Sequence, residues 1–375
     1  MRIGIDYTAA VRQGGGIGRY TRNLIRALAA LDRENRYTLF TAGRGDDGLG
    51  PWPENFRLRS LPFSDRWMHI FWQRLRLPVP VQVVTGPLDL FHSPDFVLPP
   101  TGRAPAVLTV HDLSFLRFPQ FFVPGFRAYL EGAVSRAVKR ARHILADSQS
   151  TRRDLIALLS VEPERVSVLY PGVEGRFRPV EDGRELARVR ARYALPERFV
   201  LGLGTLQPRK NFATLMEAFR RLPAADLHLV IAGGRGWMFE DTLALAEQPD
   251  LVGRVHFPGF VDDADLPALY TLARVFAFPS WYEGFGLPVL EAMACGTPVV
   301  AADNSSLPEV VGEAGLLVDA ADAEAVAEAL ERILGDAELR ARLIAAGREQ
   351  AAKFRWEDAA RRLLAVYRAA GHERR

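Results

Sequence analysis

The sequence predicts an α/β protein of two Rossmann-like, doubly wound parallel-sheet domains, and three observations carry that expectation. Its 375 residues, 48% hydrophobic and 25% charged, exceed one ordinary domain and supply apolar material for two cores. Short apolar runs alternate with helical patterns from one end to the other, as β-α-β units require. Near the middle, PGVEGRFRPVEDG at 171–183, rich in proline, glycine and charge, reads as a linker. The expected division is a first domain at 1–172, a linker at 173–183, a second domain at 184–355 and a terminal segment at 356–375.

Taken in order, the first half offers strands at Arg2–Asp6, Tyr37–Thr41, Leu88–His92, Ala106–Val110 and His143–Ala146. The second half offers Phe199–Gly204, Leu227–Ala232, Val255–Phe257, Val275–Phe278, Pro298–Ala301 and Gly315–Val318, with a last helix over about Trp356–Ala370. After the first strand, Gly14, Gly15, Gly16 and Gly18 precede an amphipathic helix, a turn that lets backbone approach a phosphate or that serves structure alone. It is not the dinucleotide fingerprint, because Arg19 stands where a small residue is needed, so a nicotinamide dehydrogenase is a poor fit.

Other classes recede in turn. No run approaches the roughly 18 to 20 apolar residues that span a bilayer. MRIGIDYTAA lacks the apolar core and cleavage site of a signal peptide, so a cytoplasmic chain is expected. The single Cys295, in AMACGT, reads as a small buried filler. The net charge of +3 conceals a division, +8 over residues 1–170 against −5 over the rest. A basic first half suits an anionic lipid surface or a phosphate-bearing acceptor, and no nucleic-acid motif accompanies it.

The most informative stretch is PSWYEGFGLPVLEAMACGTPVV at 279–300. Glu283 and Glu291 stand eight positions apart, with Gly284, Phe285, Gly286, Leu287 and Pro288 opening a helix between them. Two carboxylates about two helical turns apart, flanking free helix-start N–H groups, suit sugar, diphosphate and ribose in one ligand. Two solvated glutamates on a packed helix are the alternative. Arginine is the default cation: among 48 basic residues only Lys139, Lys210 and Lys353 are lysines. Lys210 follows a strand and a short turn beside Arg209, where open α/β sheets bind ligands, so the two form a candidate diphosphate clamp or a solvated basic turn. His111 also follows a strand, a place equally open to a structural histidine.

Three further segments are ambiguous. RWMHIFWQRLRL, from Arg66 to Leu77, places Trp67, Ile70, Phe71, Arg74 and Leu75 on helical spacings, favouring packing on the core over a membrane surface. Phe115, Phe118, Phe121, Phe122 and Phe126 fall in one expected loop, for acceptor, lipid or core. Asp263 and Asp265 are expected at a helix N-terminus, where acids suit the macrodipole, rather than in a metal site.

The region PSWYEGFGLPVLEAMACGTPVVAADNSSLPEVVGEAGLLVD, together with GTLQPRKNF at 204–212, GFVDDADLPALY at 259–270 and ADSQSTRRDL at 146–155, resembles the family 4 retaining glycosyltransferases of GT-B fold. It most resembles their bacterial mannosyltransferases of polysaccharide assembly. The resemblance covers nearly the whole chain and implies two domains facing a cleft, with the last helix crossing back onto the first. It implies a nucleotide-sugar co-substrate, GDP-mannose by preference, with UDP-glucose or another UDP-sugar still open, and neither metal nor other cofactor. A silent sugar-nucleotide-binding protein, an epimerase and a phosphorylase are weaker readings. The acceptor implied is a saccharide or a lipid-linked one, with peripheral membrane contact and no nucleic acid.

Residue by residue, the resemblance puts Glu283 near the donor sugar, Glu291 on the ribose hydroxyls, and Arg209 and Lys210 on the diphosphate with Gly284, Phe285, Gly286 and Leu287. It puts the backbone of Phe260 and Val261, with Asp262 or Asp263, near the base. Gly15 and Gly16 reach the diphosphate or acceptor, and His111 meets the transferred sugar. Asp112, Arg19 and Tyr20 stand on the acceptor side. Many relatives carry arginine after the glycine matching Gly204; Thr205 stands here, leaving more of the charge to Arg209.

Overall fold

A computed structural model describes the chain apart from residues 44–49, 62, 65, 66, 69, 76, 224, 225 and 373–375. The first sheet holds β1 (Arg2–Asp6), β2 (Arg36–Thr41), β3 (Phe56–Ser60), β4 (Leu90–Ser93), β5 (Ala106–Val110), β6 (His143–Ala146) and β7 (Val166–Val168), in the order β3-β2-β1-β4-β5-β6-β7. The second holds β8 (Phe199–Leu203), β9 (His228–Ala232), β10 (Val255–Gly259), β11 (Val275–Phe278), β12 (Val299–Ala302) and β13 (Leu316–Val318), in the order β10-β9-β8-β11-β12-β13. All the pairings between these strands are parallel. Parallel sheets are covered on both faces, which is why β5, AVLTV, is buried at all five positions.

Each order runs outward from its first strand and then reverses, as the doubly wound class requires. The reversal falls between β1 and β4 in one sheet and between β8 and β11 in the other. Side chains just beyond the carboxyl ends of those strands occupy the crevice where open α/β sheets take ligands. All eleven expected strands are present, with ends within two residues. Two strands escaped the sequence reading, β3 and β7. Both are edge strands; FRLRS has only its Phe56 buried and VSV is three residues long, so neither shows an apolar run.

Two compact units result. The first comprises Met1–Arg117, Pro124–Gly172 and the terminal segment from Arg355; the second comprises Phe118–Val123 and Val173–Phe354. In the first, helix Gly16–Leu31 buries Tyr20, Leu24, Ile25 and Leu28, one stripe of a 3.6-residue period. The helix Trp356–His372 packs on it with Trp356, Ala360, Leu363 and Tyr367 in the same core. The Tyr367 hydroxyl, 2.7 Å from His92 Nδ1, ties that last helix to β4.

The ambiguous segments now resolve. Arg66, His69 and Arg76 lie outside the described residues. Of their neighbours, Ile70 and Phe71 are half-buried, but Trp67 and Leu75 are 52% and 57% exposed, so the expected core packing does not extend to them. The five phenylalanines are not one loop: Phe115 is buried in a short helix of the first unit, Phe126 begins a long one, and Phe118, Phe121 and Phe122 belong to the second unit.

Candidate active site

In the second unit the reversal point assembles a three-membered charge cluster. Beyond β8 the chain turns at Gly204 (φ +153°), and an added Cβ there would lie 3.0 Å from Lys210 Cε, so glycine makes room for the lysine stem. Asn211, in left-handed conformation, starts helix Phe212–Arg220 and donates through Nδ2 to the carbonyls of Pro279 (2.9 Å) and Ala320 (2.7 Å). The Trp281 amide donates to the Arg209 carbonyl at 2.9 Å, and the Arg209 guanidinium donates to the Tyr282 carbonyl. The loops after β8 and β11 are thus stitched together by backbone.

Between those loops sits Glu283. Its Oε1 lies 2.7 Å from Lys210 Nζ and its Oε2 lies 3.0 Å from Arg209 Nη1, with all three side chains at most 13% exposed. Burial alone would raise the Glu283 carboxyl, but the Arg209 and Lys210 charges outweigh it and hold it down at about 2. Lys210 Nζ also rests 4.7 Å from the centre of the Phe278 ring. Two cations against one carboxylate leave the cluster with a net charge of +1. It is therefore positive and already ordered, which suits a diphosphate.

Next, Gly286 (φ +111°) starts helix Leu287–Ala294, and a Cβ on it would meet Leu307 at 2.8 Å. Ser306 Oγ donates to the carbonyls of Glu283 (2.9 Å) and Phe285 (2.7 Å), leaving the helix-start amides in a fixed loop. Glu291, on that helix, is 1% exposed and accepts from the Tyr270 hydroxyl at 3.0 Å. The pair of glutamates is thus divided: Glu283 joins the cations, and Glu291 joins Tyr270.

The first unit builds a different cluster beyond the carboxyl ends of β4, β5 and β6. His111, just beyond β5, is 7% exposed, with Nδ1 2.6 Å from Asp147 Oδ2 beyond β6 and Nε2 3.1 Å from the Pro94 carbonyl beyond β4. Tyr20 and Phe96 stand edge-on to the ring, with centroids 4.8 Å and 5.7 Å away. Half-buried Asp6 closes β1, and Asp95 follows β4. Burial, opposed by hydrogen bonds from Thr8, pushes the Asp6 carboxyl up to about 6.

Comparison with known proteins adds the identity. The family model for Glycosyl transferases group 1 matches residues 184–350, and that for Glycosyltransferase Family 4 matches residues 14–175. An O-antigen chain mannosyltransferase B of Escherichia coli is 33% identical over 94% of this chain and 96% of its own length. The chain belongs to this glycosyltransferase family. A serotype-specific mannosyltransferase of Escherichia coli is 33% identical over 72% of this glycosyltransferase, which spans only 34% of that longer protein. Among solved structures, sucrose-phosphate synthase from Thermosynechococcus elongatus matches with a TM-score of 0.78 and 26% identity, over 98% of each chain.

The remaining expected site residues of this glycosyltransferase fall as follows. Gly15 precedes and Gly16 opens helix Gly16–Leu31, and an added Cβ would meet nothing at either; it is Gly18 that packing demands, since its Cβ would lie 1.9 Å from the Gln13 carbonyl oxygen. Arg19 is half-buried. Tyr20 is buried at 2% exposure, with its ring edge-on against His111. The Asp112 carboxylate accepts from the Ser114 amide at 2.8 Å, starting the next short helix, and the carboxylate on His111 is that of Asp147.

After β10, Phe260 is 61% exposed and Val261 is buried. The Arg176 guanidinium binds the Asp263 carbonyl, and Asp265, 1% exposed, is held by Arg188, by Arg192 (2.8 Å) and by the Tyr193 hydroxyl (2.8 Å). Asp265 precedes helix Leu266–Leu272 as expected, yet its carboxylate serves the helix Gly183–Arg192 instead of capping. Residues that the sequence reading passed over are Asp6, Asp95, Asp147 and Tyr270. The first three were findable as carboxylates at or just beyond the ends of apolar strands; Tyr270 gave no signal.

Proposed function

We propose that this glycosyltransferase moves mannose from GDP-mannose, with retention of anomeric configuration, to a saccharide or lipid-linked acceptor in polysaccharide synthesis. The observation that carries the reading is the likeness along 94% of the chain to the O-antigen chain mannosyltransferase. The charge cluster supplies the chemistry. As the bond from the sugar's anomeric carbon to the diphosphate breaks, negative charge grows on the departing oxygen. Arg209, Lys210 and the amides of Gly284 to Leu287 meet that charge, and Glu283 keeps both cations in place beforehand. The acceptor hydroxyl bonds to the anomeric carbon from the side the diphosphate leaves, and its proton passes to a departing phosphate oxygen.

In this reading Glu291 binds the ribose hydroxyls, which then share it with Tyr270; the backbone at Phe260 and Val261 lies near the base, and His111 meets the transferred sugar. The chain works in the cytoplasm, with peripheral contact to anionic lipid through the basic first half and its exposed Trp67 and Leu75. Among the described residues no helix is long and apolar enough to cross a membrane. Sedimentation with vesicles containing anionic lipid tests that contact: a chain left in the supernatant at low salt removes it.

The deciding experiment is thermal shift, without added metal, over GDP-mannose, GDP, UDP-glucose, UDP-GlcNAc and UDP. Stabilisation by the GDP ligands supports the mannosyl reading. A preference for UDP ligands overturns the donor and keeps the transferase.

A further inference from the structure

Given a His111 that meets the transferred sugar, as proposed above, the groups around its ring decide what the ring can do. Nε2 faces the Pro94 carbonyl oxygen at 3.1 Å, and a carbonyl oxygen only accepts, so that nitrogen carries a proton. Nδ1 faces Asp147 Oδ2 at 2.6 Å. The proton between them belongs to the ring, because the carboxylates of Asp147 and Asp95 and the Pro94 carbonyl favour a cation there and outweigh burial. Asp147 comes from beyond β6 and Asp95 from beyond β4; Asp112 follows His111 directly, and Asp6 closes β1 beside Asp95. His92, inside β4, adds no competing cation: burial first, then the His111 charge, push it down to about 3. Tyr20, from helix Gly16–Leu31, presents only an edge-on ring.

We propose that Asp147 is a positioning residue that orients the His111 ring and balances a fixed positive charge on it. A sugar hydroxyl replacing the Pro94 oxygen then meets an N–H donor on a cation. The ring cannot serve as the base that takes the acceptor's proton. Burial opposes the charge, yet Asp147, Asp95 and the Pro94 carbonyl outweigh it and push His111 up to about 9 from the ordinary 6.5. The second Asp147 oxygen, Oδ1, is buried without a hydrogen-bond partner, so among the described residues His111 is the side chain that binds this carboxylate.

The test is histidine-labelled NMR titration of the full chain, with the His111 signal assigned through His111→Gln, in the wild type, Asp147→Asn and Asp147→Glu. The wild-type ring should stay charged past pH 8. Asp147→Asn, of nearly equal size, should lower its titration by about 1 to 3 pH units, and Asp147→Glu should restore part of the fall. Turnover, read as nucleotide release from whichever sugar nucleotide of the panel binds best, should drop about tenfold at pH 8 in Asp147→Asn and little at pH 6, with donor affinity within a few-fold. A wild-type ring titrating near its ordinary value, or a titration unmoved by Asp147→Asn, overturns the proposal. A lowered titration with turnover unchanged at both pH values upholds the charge on His111 and instead removes its contact with the sugar.

Discussion

The two units place opposite electrostatics at the carboxyl ends of their parallel sheets. Beyond β8 and β11 two cations surround one carboxylate; beyond β4, β5 and β6 one histidine stands against the carboxylates of Asp147 and Asp95. Net charge by halves runs the other way, with the basic first half holding the acid-rich cluster and the acidic second half the cationic one. Bulk charge thus reports on the surface, while strand-end residues set the polarity of each site. A positive, ordered cluster suits a leaving diphosphate, and an acidic one with a central cation suits sugar hydroxyls.

Substitutions can break that contrast. The largest effect is expected for His111→Ala: turnover falls about 100- to 1,000-fold, on the scale of losing one donor aimed at the transition state, while donor affinity stays within a few-fold. Steady-state kinetics beside donor titration separates the two, and unchanged turnover would return His111 to a structural role. Next comes Glu283, whose folded carboxyl sits at about 2 against an ordinary 4.5. A lowered value means that its stabilisation is present above 4.5 and is lost as pH falls through about 2. That contribution is about 3 kcal/mol, so Glu283→Gln should flatten the dependence of unfolding midpoint on pH across that window. An unaltered dependence would mean that the ion cluster does not hold the loops.

Lys210→Ala sharpens the contrast from the other side. It should weaken nucleotide diphosphate binding by about 10- to 100-fold, the loss of one charged hydrogen bond, and leave nucleoside binding nearly as it was. Equal losses in calorimetry would remove the clamp. The smallest effect is expected for Tyr270→Phe, which deletes the hydroxyl on Glu291 at a cost of about 1 kcal/mol and about a fivefold change in donor affinity. No change in that affinity would argue against Glu291 at the ribose.

Much of this was legible in the sequence, and the rest was illegible for physical reasons. Interior strands announce themselves because burial on both faces demands apolar runs; β3 and β7, at the edges, make no such demand. Lys210 stood out against an arginine-rich background, and Gly286 had to be glycine for its positive φ. The partnership of Lys210 with Glu283 spans 73 residues and exists because β8 and β11 are neighbours, a fact of strand order that no local pattern records. The link from His111 to Asp147 is hidden the same way, across β5 and β6. Asp112, adjacent to His111 in sequence, sits at the start of a helix that turns its carboxylate to Ser114.

The last helix also sets a timetable for synthesis. Tyr20, Leu24 and Leu28 of helix Gly16–Leu31 share a core with Leu363 and Tyr367, so the first unit keeps an open apolar stripe until helix Trp356–His372 is made. About 200 residues separate Gly172 from His372, which at ribosomal speeds is roughly 10 to 40 s of exposure. During that interval the second unit, which takes Phe118–Val123 from the earlier chain, has all its parts. The nascent enzyme therefore completes its later-encoded unit first, and the earlier-encoded one closes only once the helix Trp356–His372 has been made.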